Sequence, residues 1–284
     1  MQVKVVIGTI AFMLTMMIMG FAALREPTRL EEYSNAYEGR SIETGAKIFA
    51  NNCTTCHGIE GKAEACYNAA GEQIGCQGLP LNSTSLLCGD TADRTPRMSA
   101  MNWSGTKEAY IHSVVAAGRA GTAMPTWSAQ FGGPMRDDEV ANVVSFVLNW
   151  ESEELCSAPV VTFDWPATAD DFLTDFPDRD AANGTDLFVT YGCSGCHGSP
   201  DGSIPANVGP DLSNIAEEGA TRIDGYSAAD YVYESILDPH AYIAEECPNG
   251  PCAGPPSTMP ADFAARMGAS PQDLADIMAY LLGE

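Results

Sequence analysis

The chain has 284 residues, enough for a short terminal segment and two domains of ordinary size, and its hydrophobic content of 45% argues against wholesale disorder. The formal net charge is −24, and residues 157–284 alone carry twenty-one acidic and three basic residues, a net of −18. Such a surface repels phosphate backbones, which excludes nucleic acid as a partner, and it favours a partner that bears a basic patch.

The first predicted element is an apolar helix at the N-terminus. Val5 to Leu24 contains no charged residue, and as a helix it spans about 30 Å, the hydrocarbon thickness of a bilayer. A cleaved signal peptide is the alternative, but its apolar region is usually about 7–15 residues, and only weak cleavage sites lie near Ala22 and Ala23. The sequence predicts a single-pass transmembrane anchor over residues 1–24 and a tether over residues 25–40.

The rest of the chain repeats itself, because two Cys-x-x-Cys-His motifs lie 140 residues apart, each behind a Gly-x-x-x-Phe helix. An amphipathic helix closes each repeat, with Phe146 in the first where Tyr280 stands in the second. Strand signals are sparse. We therefore predict an all-α chain with a first domain over residues 41–156 and a second over residues 183–284. Prolines and aspartates predict a solvated linker over residues 157–182.

The two motifs predict two covalently attached haem c groups. In this pattern both thiols add to the haem vinyl groups, and the adjacent histidine is placed to ligate the iron. A redox-active Cys-x-x-Cys or half of a zinc site is the alternative, but a thioredoxin-type site would need a βαβ context that the sequence lacks. The candidate attachment and ligand residues are Cys53, Cys56, His57, Cys193, Cys196 and His197.

The second axial iron ligand is predicted from matched Met-Pro pairs. Met124 and Met259 occupy equivalent positions in the two repeats, and a thioether ligand raises the reduction potential relative to a second histidine. Most of the twelve methionines are expected in the core, and His112 and His240 are the rival ligands. A metal-bound histidine usually donates its other N–H to a carbonyl, so the loops around Pro80 and Pro210 are the candidate acceptors.

These features together resemble the class I cytochrome c fold, present twice in tandem. The resemblance implies an α-helical wrap around each haem, with one haem edge exposed for electron exchange. The segments LNSTSLL (81–87), GRAGTAMPTW (118–127) and VGPDLSNI (208–215) also resemble membrane-tethered cytochromes that serve quinol-oxidising complexes and terminal oxidases.

Six further cysteines point to an oxidising compartment and allow fifteen pairings. Proximity along the chain favours Cys66–Cys76 and Cys247–Cys252, which leaves Cys88–Cys156. Disulfides and covalent haem both place the haem domains on the periplasmic, extracytoplasmic side of the cell membrane.

The sequence as a whole predicts an electron carrier with no catalytic residues. It would link a quinol-oxidising complex to a terminal oxidase or another acceptor in a respiratory or photosynthetic membrane. Two alternatives remain open at this point: a dihaem cytochrome c peroxidase, which needs one haem with a displaceable ligand, and the cytochrome subunit of a periplasmic dehydrogenase.

Overall fold

The computed structural model describes residues 2–89, 98, 101–120, 122–157, 162–252 and 254–284. Within these residues the chain is mostly helical, and its one small sheet is the antiparallel hairpin of β1 (Cys66–Tyr67) and β2 (Gln73–Ile74). The predicted all-α fold is therefore confirmed. The helices are α1 (Gln2–Asn52), α2 (Thr54–His57), α3 (Thr84–Leu87), α4 (Lys107–Ala117), α5 (Asp137–Leu148), α6 (Glu153–Ser157), α7 (Ala169–Asp175), α8 (Ala181–Thr190), α9 (Cys193–His197), α10 (Ile215–Arg222), α11 (Ala228–Leu237), α12 (Phe263–Met267) and α13 (Gln272–Leu282), with a 3-10 turn at Ala129–Phe131.

Helix α1 is a continuous helix of 51 residues, about 77 Å long at the usual rise per residue. Its apolar residues from Val3 to Leu24 are exposed, and its most apolar stretch has a mean hydropathy of 2.2, so it is long and apolar enough to cross a membrane. Residues 25–40, predicted as a tether, continue the same helix, with Pro27 inside it. The far end of α1 enters the first domain.

In the first domain α1 crosses α5 at very short range. A Cβ atom placed on Gly45 would lie 1.9 Å from the carbonyl oxygen of Asn142, so only glycine allows this approach. One turn later the Phe49 ring packs against Phe146 and Trp150, with centroid distances of 5.4 and 5.2 Å. This crossing anchors the first of two separate hydrophobic cores.

The second domain repeats the crossing between α8 and α13. A Cβ atom on Gly184 would lie 2.0 Å from the carbonyl oxygen of Asp276, and the Phe188 ring lies 5.6 Å from the ring of Tyr280. The Asp276 side chain is buried and accepts hydrogen bonds from the Asp180 N–H at 3.0 Å and from Asn183 Nδ2 at 2.7 Å. Burial alone would raise the pKa of Asp276, but these hydrogen bonds outweigh it and lower the pKa.

Most of the segment predicted as a solvated linker packs on the second domain instead. Phe172 of α7 is fully buried in the second core, where Phe163 and Trp165 also pack. Trp165 Nε1 donates to the Ala264 carbonyl at 3.2 Å, and Tyr233 Oη donates to the Pro166 carbonyl at 2.8 Å. The prolines and aspartates of this segment suggested that it would be solvated. Burial of its aromatic rings instead stabilises its packing on the second domain.

The structure contains the three predicted disulfides: Cys66–Cys76, Cys88–Cys156 and Cys247–Cys252. The first closes the β1–β2 hairpin, where Cys66 and Cys76 form a small buried cluster with Ala63. The second ties the end of the first domain, in α6, to the chain that follows α3. All three pairings are confirmed.

Phe172→Ala should lower the free energy of unfolding of the second domain by about 3–5 kcal/mol, the usual cost of truncating a buried phenylalanine. Phe131→Ala, at a phenylalanine that is 57% exposed, is the matched control and should change stability little. Denaturant unfolding of the haem-loaded protein measures both variants. Equal, small effects would show that α7 is a solvated linker after all.

Candidate functional site

The first Cys-x-x-Cys-His motif continues directly from the buried end of α1. Cys53 N–H donates to the Phe49 carbonyl, and His57 N–H donates to the Cys53 carbonyl, each at 2.9 Å. His57 Nδ1 lies 2.8 Å from the Leu79 carbonyl oxygen. Because a carbonyl only accepts, Nδ1 carries the proton, and Nε2 keeps the lone pair that a metal ion requires.

The second motif repeats this arrangement on α9. Gly192, with φ of 82°, turns the chain from α8 into α9, a backbone conformation that favours glycine. His197 Nδ1 lies 2.8 Å from the Pro210 carbonyl oxygen, which fixes the same tautomer as in the first domain.

A glycine lies against each imidazole ring and defines how the two loops correspond. A Cβ atom on Gly78 would lie 2.4 Å from His57 Nδ1, and one on Gly209 would lie 2.6 Å from His197 Cε1. Leu79 therefore corresponds to Pro210. In the predicted loop around Pro80, the acceptor is the Leu79 carbonyl and not that of Pro80, which lies 3.4 Å from Ser83 Oγ.

The four motif cysteines are unpaired, whereas the other six cysteines form the disulfides. Burial raises the pKa of both Cys53 and Cys193 to about 12, and it also raises the pKa of Cys56 and Cys196. Burial therefore keeps these unpaired thiols protonated. Redox cycling uses a lowered thiol pKa, so the raised pKa argues against a redox-active Cys-x-x-Cys.

Both histidines are also kept neutral by burial. Burial lowers the pKa of His57, and the hydrogen bond to Leu79 opposes this in part. Burial likewise lowers the pKa of His197. Neutral imidazole is the form that ligates a metal.

The two motifs open into one continuous cavity that is lined mainly by apolar side chains from both domains. Met124 lines it in the first domain and Met259 in the second. The two methionines are held alike, since each backbone N–H lies 3.2 Å from a hydroxyl two residues earlier, that of Thr122 or of Ser257. The structure therefore brings a histidine, two free thiols and a thioether to each half of the cavity.

Of the two rival ligands, His112 and His240, only His240 lines the cavity. His112 is exposed on α4 and lies outside the cavity lining. His240 lines the cavity in the second domain, and neither of its ring nitrogens has a hydrogen-bond partner among the described residues. Met267 is buried in the second core and does not line the cavity.

Several charged side chains that line the cavity were not predicted from the sequence. Arg119 lies nine residues after Tyr110 of α4, just as the rival ligand His240 lies nine residues after Tyr231 of α11, so the repeat was the available signal for Arg119. Arg222 donates to Tyr231 Oη at 2.8 Å, and its guanidinium lies 5.1 Å from that ring centre. Arg222 carries no sequence signal, because only the packing of α10 on α11 brings it to the cavity.

This donor set fits haem c: two thiols in an apolar chamber, an imidazole with its free nitrogen fixed by a carbonyl, and a thioether in the same chamber. Among the described residues no group of three or more His, Cys, Asp or Glu side chains could hold a bare metal ion. The arrangement thus defines a c-type cytochrome.

Comparison with known proteins agrees. The cytochrome c family model matches residues 42–151 and 181–283, about three quarters of the chain, so the chain belongs to the cytochrome c family. It is similar to cytochrome c6 of Diacronema lutheri, with 27% identity over 108 residues, which is 38% of this chain and 94% of that protein. No solved structure is a significant match. The chain is an electron-transfer cytochrome, and the family carries covalently bound haem c.

Met124→Ala and Met259→Ala should each abolish the near-infrared sulfur-to-iron band of one haem and lower its reduction potential, because thioether ligation stabilises ferrous iron. Met101→Ala, at a residue that is 48% exposed, is the control and should change neither property. Optical spectra and redox titration provide the test. An unchanged spectrum in Met259→Ala would transfer the ligand role to His240.

Proposed function

We propose that this protein is a membrane-tethered dihaem cytochrome c that passes single electrons between larger membrane complexes. The donor would be a quinol-oxidising complex and the acceptor a terminal oxidase or another oxidant of a respiratory or photosynthetic chain. The observation that carries the proposal is the duplicated donor set: each half of the cavity has its own pair of free thiols, its own oriented histidine and its own methionine.

Haem supplies an iron that alternates between the ferric and ferrous states, and the chain supplies its attachment, orientation and surroundings. Cys53 and Cys56, or Cys193 and Cys196, would hold the group covalently. His57 and His197 would ligate through Nε2, since Nδ1 is bound to a carbonyl. Met124 and Met259, which line the same cavity, would supply the second protein ligand of each group. An iron held by two protein ligands would have no free position for a substrate, which favours a carrier over an enzyme.

The membrane role rests on α1. Twenty residues between Val5 and Leu24 are uncharged, and those side chains are exposed along the helix, so a bilayer is the environment that would cover them. The three disulfides support an oxidising compartment, and the proposal accordingly has both domains on the extracytoplasmic side and the N-terminus inside.

The electron-transfer partner should carry a basic patch. The second domain contributes most of the net charge of −24, and Glu245 and Glu246 are exposed beside the cavity-lining Ala244 and Cys247. A negative field at the rim of the haem chamber would orient a cationic partner toward it and speed encounter at low salt.

The mass of the mature protein, extracted from membranes with detergent, should equal the full chain plus two haem groups. The reason is that both motifs have free thiols and that α1 lacks a good cleavage site. One haem would remove the dihaem proposal, and a chain beginning near Leu24 would make the protein a secreted cytochrome. Membrane fractionation without detergent is the control for peripheral association.

Reduction by a basic electron carrier should slow steeply as salt rises, because screening acts beyond about 10 Å at 0.1 M. Glu245→Gln with Glu246→Gln should flatten this dependence. Glu153→Gln with Glu154→Gln, an exposed pair in α6 of the first domain, is the matched control and should leave it unchanged. Stopped-flow kinetics across a salt series makes the measurement, and a flat response of the unmodified protein would remove electrostatic steering.

The spin state of the haems and peroxide turnover, measured on the same preparation, distinguish a carrier from a dihaem peroxidase. A carrier has two six-coordinate, low-spin haems and does not turn over peroxide. A five-coordinate, high-spin haem with peroxide turnover would make the protein an enzyme.

A further inference from the structure

A short loop of the first domain lies between the two haem-attachment motifs. It follows the β1–β2 hairpin, which the Cys66–Cys76 disulfide closes, and it comprises Cys76, Gln77 and Gly78. We call residues 76–78 the bridge segment. All three residues line the common cavity.

One end of the bridge segment is bound to the first motif. Gly78 N–H donates to the Cys56 carbonyl at 2.8 Å, and Gly78 lies so close to the His57 ring that it cannot carry a side chain. The next residue, Leu79, supplies the carbonyl that orients His57.

The other end lies directly on the second motif. A Cβ atom on Gly192 would lie 2.7 Å from the Cys76 carbonyl oxygen, and one on Gly195 would lie 2.9 Å from the same atom. Just before the bridge segment, a Cβ atom on Gly75 would lie 2.0 Å from Ser194 Oγ. Because Gly75 of the first domain and Gly192 and Gly195 of the second lack side chains, the two backbones come into direct contact. Ser194 Oγ is buried and has no hydrogen-bond partner in the described part of the chain.

The connection between the domains is also short. Helix α6 ends at Ser157 and is held to the first domain by Cys88–Cys156, while Phe163 already packs on the second core. The few residues between them reach at most about 20 Å when extended. Two domains joined in this way cannot separate far while their chain ends stay in place.

We propose that the bridge segment fixes the two attachment motifs against each other, so that the two haems exchange an electron inside the molecule. The inference rests on the dihaem function proposed above. One electron leaves the ferrous iron of one haem, which becomes ferric, and reduces the ferric iron of the other; no bond forms or breaks and no proton moves. The contacts with Cys56 and Gly195 lie two residues apart on the bridge segment, about 7 Å of chain. Cys76, Gln77 and Gly78 are thus positioning residues for this internal step.

Gly75→Val tests the proposal, because it places a branched side chain into the contact with Ser194 and Gly195 while leaving both motifs intact. Gly75 does not have the left-handed backbone that would make any side chain unfavourable. Gln73→Val, an exposed position on β2 of the same hairpin, is the matched control. Ser194→Leu overpacks the same contact from the second domain. It leaves the hairpin sequence unchanged, so an effect shared by both variants cannot come from misfolding of the hairpin.

In the haem-loaded protein, Gly75→Val and Ser194→Leu should each speed amide hydrogen exchange across residues 192–197 by about tenfold or more, as expected when overpacking opens a contact. Both should also slow electron equilibration between the haems after rapid partial reduction, with the two reduction potentials unchanged. Gln73→Val should behave as the unmodified protein. Gly75→Ala and Ser194→Ala should be non-additive in hydrogen exchange, since removing Ser194 Oγ relieves the contact with the new Cβ.

Unchanged exchange and unchanged equilibration in both contact variants, with two haems attached, would overturn the inference and leave the dihaem function standing. If the chain carried fewer than two haems, the mass measurement would already contradict the dihaem function. Failure of the dihaem function and failure of this inference are therefore distinguishable.

Discussion

Each half of this cytochrome depends on one helix crossing in which a glycine meets a backbone carbonyl. Gly45 lies against Asn142 and Gly184 against Asp276, at distances that leave no room for a Cβ atom. The crossing places Phe49, or Phe188, in the core one turn later, and the attachment motif follows in the next turn. The position of the thiols and of the histidine is therefore set by helix packing, and the short helices α2 and α9 need little stability of their own.

The haem-attachment residues are uncharged, whereas the protein as a whole is strongly acidic. Burial keeps the motif thiols protonated and the motif histidines uncharged, so the attachment residues bring no net charge into the cavity. Residues 157–284 carry twenty-one of the thirty-eight acidic residues, and three hydrogen bonds stabilise the buried carboxylate of Asp276 among them. Uncharged attachment residues favour an apolar macrocycle, and a charged exterior serves encounter with other proteins.

Features encoded by local spacing were predictable from the sequence, and features that depend on tertiary contact were not. The motifs and the two short-range disulfides follow from residues close in the chain, the methionines from matched positions in the repeat, and Cys88–Cys156 from elimination. The sequence predicted an anchor that ends at Leu24 and a separate tether, but hydropathy marks only the limit of an apolar surface, and the helix continues through both. The loop around Pro80 was predicted to hold the acceptor for His57, but Leu79 and not Pro80 supplies it, because the glycine against the imidazole ring sets which carbonyl faces the histidine.

The second domain and the bridge segment also depend on tertiary contacts that local sequence does not reveal. Phe163, Trp165 and Phe172 are large apolar residues, but the prolines and aspartates between them suggested a solvated segment. The partners that bury this segment lie about sixty to a hundred residues further along the chain. Nothing in the local sequence of Cys76 to Gly78 indicates that it touches Gly192 and Gly195, because that contact exists only once both domains are folded.

The continuity of α1 has a consequence for where the protein can act. If residues up to Leu24 lie in a bilayer, as proposed, the remaining helix would hold Cys53 about 40 Å above the membrane boundary, at the usual rise per residue. Such a helix would be stiff, apart from the backbone hydrogen bond that Pro27 removes near the membrane. The first attachment site would then lie at a defined height, within reach only of partners whose redox centres project to a similar level. Height above the membrane would thus select partners by shape before any surface charge takes effect.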